Sequence, residues 1–126
     1  MKRTPWWRGV TPHDNIQSGK IQDGVFAANL GQAIRGKGTK EYHDPVEFFA
    51  KTYITKGLRS LLVDSIKVLA GDISRDRVWN LKSSFGGGKT HSILAIHHLI
   101  NNRNRIAKIR DGSLNCDITK LFADYL

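Results

Sequence analysis

One short stretch constrains this chain more than any other. Ser83-Ser84-Phe85-Gly86-Gly87-Gly88-Lys89-Thr90 matches the phosphate-loop pattern G-x-x-x-x-G-K-[ST] at every defined position but the first, where Ser83 replaces glycine. Glycines let a backbone wrap closely around phosphate, so that several N–H groups point inward at the start of a helix whose dipole favours anions. Such a loop needs a strand before it and a helix after it. Arg77-Val78-Trp79-Asn80-Leu81-Lys82 alternates and carries β-branched and aromatic residues, which predicts a strand over 77–82, a loop over 83–90 and a helix over 89–100. Gly86, Gly87 and Gly88 supply the nest, flanked by Ser84 and Phe85. Lys89 extends toward the β- and γ-phosphates, the Thr90 hydroxyl holds Mg²⁺, and His91 stands where it can sense or position a group beside them. Two features depart from the pattern: Ser83 carries a Cβ, and Asn80 and Lys82 interrupt the apolar run expected of a strand buried on both faces. A glycine-rich strand-to-helix turn without a ligand is the alternative.

The remainder reads as mainly helical. Two prolines and a glycine within Pro5–Asp14 predict an extended or turning start. Phe26, Leu30, Ala33 and Ile34 share one face of a helix that Gly36-Lys37-Gly38 stops. Asp44 reads as the N-cap of the next helix, with Pro45 at its first position and Glu47 placed to reach back in a capping box; Phe48, Phe49, Thr52 and Tyr53 follow. Thr55 restarts a helix whose Leu58, Leu61, Leu62, Ser65, Ile66 and Leu69 keep a 3.6-residue period, and Gly71-Asp72 ends it. Asn101–Arg105 reads as a polar, basic loop, and the residues after it give only a weak amphipathic signal around Leu121-Phe122-Ala123.

Charge narrows the partners. The 126 residues hold 20 basic and 11 acidic groups, a formal +9. Residues 1–40 carry seven basic against two acidic groups, 41–80 six against six, and 81–126 seven against three, so the excess sits at the two ends. An anionic partner is implied, whether nucleotide, nucleic acid or an acidic protein surface. Trp6 and Trp7 beside Arg3 and Arg8 either stack on bases or pin the terminus to the core, and Arg103, Arg105, Lys108 and Arg110 form either a nucleic-acid track or a solvated face. His97 and His98 diverge on a helix, whereas His91 and His98, seven apart, face similarly without an identifiable third metal ligand. The single cysteine, Cys116, excludes a disulfide framework and a cysteine-clustered zinc site. No apolar run approaches the ~18 residues of a membrane span, and Thr4-Pro5-Trp6-Trp7-Arg8 stands where a secretory signal needs apolar residues, so a cytoplasmic protein is expected.

Several blocks together carry a resemblance. Pro5-Trp6-Trp7-Arg8, Thr11-Pro12-His13-Asp14, Val25–Leu30, Glu41–Pro45, Phe48-Phe49, Thr52–Leu58 and Phe85–His91 look like the amino-terminal part of large prokaryotic AAA-like P-loop ATPases. Those proteins are catalogued as a domain of unknown function and associated with anti-phage defence loci. The resemblance implies ATP and Mg²⁺ at Gly86 to Thr90. Asn29 stands where an aspartate is expected, and the family's long continuation is missing, so the chain reads as truncated. No second strand ending in an acidic residue and no transition-state-stabilising group follows; Leu114-Asn115-Cys116-Asp117 is a poor candidate, which leaves autonomous hydrolysis doubtful.

The expected fold is therefore α/β, with a mostly helical region over 1–74 and an incomplete P-loop unit over 75–126. Its lone strand would require a partner chain or the missing remainder to complete a sheet. Nucleotide binding is the leading function. A small basic module for nucleic acid or protein, and a non-functional remnant, are the alternatives.

Overall fold

Asp44 shows how local chemistry sets the architecture. Its carboxylate accepts hydrogen bonds from the Val46 and Glu47 N–H groups at 2.9 and 3.2 Å, and Pro45 occupies the first helical position, where no N–H is needed. Glu47 does not complete a capping box. The Asp44 N–H is already spent on the Lys40 carbonyl, so Glu47 turns outward to Lys40 Nζ at 3.4 Å.

The computed structural model describes residues 5–20, 27–82 and 88–107. A 3-10 turn at Trp6–Gly9 precedes α1 (Asp14–Gln17), α2 (Leu30–Ile34), α3 (Lys40–His43), α4 (Pro45–Lys51), α5 (Lys56–Leu69), α6 (Lys89–Asn101) and α7 (Arg103–Ala107). Among the described residues there is no strand, which overturns the α/β expectation and, with it, the strand–loop–helix unit. Residues 77–82 are irregular and exposed, Val78 at 86%, and Lys82 N–H closes a tight turn onto the Asn80 carbonyl at 3.0 Å. Alternating β-formers make a strand only where a neighbouring strand completes the ladder and covers a face, and no described residue does so here.

The helices begin and end as their capping residues dictate. Asn29 accepts from the Gln32 N–H at 3.1 Å and so opens α2, a task an aspartate performs equally well. The expected face of α2 is shortened: Ala33 is buried, but Ile34 is exposed. Phe26 lies outside the described residues. Thr55 accepts from the Leu58 N–H at 3.2 Å and starts α5. At the other end Asp72 N–H bonds the Lys67 carbonyl and Gly71 N–H the Val68 carbonyl, a Schellman closure that needs the φ of +97° Gly71 supplies.

One core unites these elements. Leu58, Leu62 and Ile66 of α5 meet Phe48 and Phe49 of α4 and Leu94, Ala95 and Leu99 of α6. Full burial of such side chains contributes roughly 1.5–3 kcal/mol each. Leu69, expected on the same face of α5, is 64% exposed because the helix has run past its neighbours. The stretch expected to be a basic loop, Asn101–Arg105, instead holds the last residue of α6, a turn at Asn102 and the start of the short helix α7, whose Ile106 is completely buried in this core. Arg105 ties α7 to α4 through Asp44 at 3.2 Å, and a Glu41–Lys51 ion pair clips α3 to α4.

Candidate functional site

The first turn of α6 is where the sequence places its chemistry. Ser84, Phe85, Gly86 and Gly87, and the position-one residue Ser83, lie outside the described residues; Gly88, Lys89, Thr90 and His91 lie within them. Gly88 is the N-cap, with φ +76° and ψ 13°, a left-handed conformation that side-chain-bearing residues rarely adopt. Its carbonyl accepts from the Ser92 N–H at 2.9 Å and from the Ser92 hydroxyl at 3.0 Å, which locks the turn. No acidic residue stands in the first turn of this 13-residue helix, where one would offset the positive end of its dipole. Thr90 is exposed and Lys89 half-buried.

His91 is fixed by residues that its own neighbourhood in sequence does not announce. Its ring stacks on Phe48, centroids 4.5 Å apart and planes 29° from parallel, and its Nε2 lies 2.9 Å from Thr52 Oγ1. The Thr52 hydroxyl has one proton, and it is committed to the Phe48 carbonyl at 2.6 Å. His91 Nε2 must therefore be the donor, which leaves Nδ1 as the lone-pair nitrogen of the neutral ring. Burial holds the His91 pKa below the usual histidine value, so the neutral form is favoured.

His98, two turns along the same face, repeats the pattern more deeply. Its Nε2–H donates to the Tyr42 carbonyl at 2.7 Å, and its ring lies 5.1 Å from Phe48. Nδ1 is buried and has no hydrogen-bond partner among the described residues. Burial again lowers the pKa most strongly, with His97 and His43 acting in the same direction against the Tyr42 carbonyl and Asp44. The two histidines thus share a face as their spacing predicted, and both rings lie against Phe48. Among the described residues no group of three or more His, Cys, Asp or Glu side chains is arranged to hold a metal ion.

A cavity of about 440 Å³ opens beside this turn. Gly88, His91 and Ser92 form one side, and Tyr53, Leu58 and Leu61 face them. Tyr53, expected to continue the helical face of Phe48 and Phe49, falls after the end of α4 and is 81% exposed. The cavity was not legible in the sequence, because it joins the connection after α4 to the heads of α5 and α6. The basic run gives less: Arg105 is paired with Asp44, and Lys108 and Arg110 lie outside the described residues. Trp7 is exposed. No helix among the described residues is long and apolar enough to cross a membrane.

Fold and site together define a helical domain in which a glycine-headed helix opens onto a cavity whose described lining residues carry no formal charge. The chain belongs to the DUF499 N-terminal domain family, whose model matches residues 11–124; it is a domain of unknown function. The Pro5–Arg8 block precedes the matched span. No curated protein and no solved structure matches the chain.

Proposed function

We propose that the head of α6 binds the phosphates of a nucleotide, ATP with Mg²⁺, and that the chain serves as the amino-terminal part of a larger AAA-like ATPase of the kind associated with anti-phage defence. The observation that carries the binding reading is Gly88, left-handed at the N-cap of a long helix whose first turn presents Lys89 and Thr90 and no acid. A backbone entering a helix this way directs N–H groups toward an anion, and a lysine adds a full positive charge. The larger context rests on the sequence resemblance over Thr11–Asp14, Glu41–Pro45 and Phe85–His91. Binding is the extent of the proposal.

The residues present suit Mg²⁺ only as a companion of the nucleotide. Magnesium keeps most of its waters and takes few protein ligands beside phosphate oxygens, and the exposed Thr90 hydroxyl is such a ligand. Bound there, the ion would neutralise phosphate charge that Lys89 also faces. His91, neutral and tied to Thr52, adds no charge of its own.

Titration with a fluorescent ATP analogue in the presence of Mg²⁺ tests this reading. Saturable binding that Lys89→Ala abolishes is expected. Equal binding by the variant refutes the site, and binding that collapses with salt while ignoring Lys89→Ala assigns the anion affinity to the basic ends instead.

A further inference from the structure

We propose that the cavity beside Gly88 receives the purine base of the nucleotide, flat against Tyr53 and over the leucines of α5. This inference rests on the phosphate reading of α6, because the cavity shares Gly88 with it. Its size, about 440 Å³, falls within the ~300–1,000 Å³ of small-molecule sites. Its walls select for an uncharged, flat occupant. None of the described residues that line it bears a formal charge, so a triphosphate gains nothing inside it. Leu58, Leu61 and Leu81 supply apolar surface, and Tyr53 supplies an exposed aromatic ring. Bases stack on such rings whatever their sequence context, because every base has a π face.

The polar atoms on the walls are mostly spent on the protein itself. The Thr55 hydroxyl accepts from Leu58 N–H, and the Ser92 hydroxyl donates to the Gly88 carbonyl. His91 differs. With Nε2–H committed to Thr52, its Nδ1 is the acceptor of a neutral ring, suited to an N–H such as the exocyclic amine of adenine. Cavity and helix head then divide one ligand between them, the base to the neutral walls and the phosphates to the glycine-headed turn.

Gly57 makes the inference testable without disturbing the core. It lines the cavity, its backbone is not left-handed, and a Cβ built there meets nothing within 4 Å. Gly57→Leu therefore fills the space from within α5, while Tyr53→Ala removes the stacking surface from an exposed position. Calorimetric titration of wild type and both variants with Mg·ATP, tripolyphosphate and adenosine is the experiment. ATP is expected to bind wild type at least about tenfold more tightly than tripolyphosphate, as the stacking of one base implies. Both variants should reduce ATP to the tripolyphosphate affinity, leave tripolyphosphate binding unchanged and retain the wild-type circular dichroism. Equal affinities of ATP and tripolyphosphate for wild type, or ATP binding indifferent to both substitutions, overturn the base site while the phosphate reading stands. Adenosine binding that Gly57→Leu removes, with no tripolyphosphate binding, keeps the base site and overturns the phosphate reading. Absence of binding by all three overturns both.

Discussion

Acid should destabilise this domain through two histidines before it reaches the carboxylates. His91 stacks on Phe48 and His98 packs against it with its ring tilted, both donate through Nε2, and burial favours the neutral form of both. Their folded pKa values lie below the ~6.5 of an unfolded histidine, so below that pH the unfolded chain binds protons that the folded chain refuses. Stability is thus full above about pH 6.5 and falls as the pH drops toward the folded values. For a histidine that stays neutral in the fold, lowering the pH from 7.5 to 5.5 removes up to about 1.4 kcal/mol, or about 2.7 kcal/mol for the pair. That is a large share of the ~5–15 kcal/mol typical of a whole domain. Asp44 acts in a lower window. Burial alone would raise its pKa, but the Glu47 and Val46 N–H groups and Arg105 outweigh it and lower the value, so its contribution is lost only as the pH falls below the ordinary carboxylate range. Urea unfolding at pH 7.5, 6.5 and 5.5, followed by circular dichroism, measures the slope. The double variant His91→Gln, His98→Gln keeps a donor near each Nε2 position and cannot be protonated, so its slope should be flatter than that of wild type. A wild-type slope that the double variant reproduces refutes the reasoning.

Two further outcomes follow from the helix ends. Asp44→Ala removes the cap of α4 and the partner of Arg105, and should lower stability by about 1–2 kcal/mol in urea titrations; Asp44→Asn, which still caps, should recover most of it. Gly57→Ala should stabilise by roughly 0.5–1 kcal/mol, because the site is helical and open, whereas Gly71→Ala should destabilise because its φ is +97°. Thermal melts that move both variants in the same direction would contradict the backbone account.

The capping residues were readable because their chemistry is local. Asp44, Pro45 and Thr55 act within three residues of themselves, and the structure keeps each where the sequence put it. Residues 77–82 failed as a strand for the opposite reason: alternation describes one strand, but a ladder requires a second, which composition along 77–82 cannot supply. The candidate site divides the same way. Gly88 and Lys89 announce themselves by type and spacing, but the Thr52 hydroxyl that orients His91 lies 39 positions away, and nothing in its neighbourhood marks it. Glu47 shows that even a local motif yields when the donor it needs, the Asp44 N–H, has been taken by an adjacent helix.

Ile106 bears on what the folding unit includes. A fully buried side chain on a helix of five residues means that α7, too short to persist alone, exists because the core holds it. The dependence runs both ways. Releasing α7 would bare the inner surfaces of α4 and α6 to water and strip Asp44 of its arginine in the same event. Loss of α7 should therefore spread inward as one cooperative step, which makes residues 103–107 part of the core's own folding unit and no mere appendage to α6.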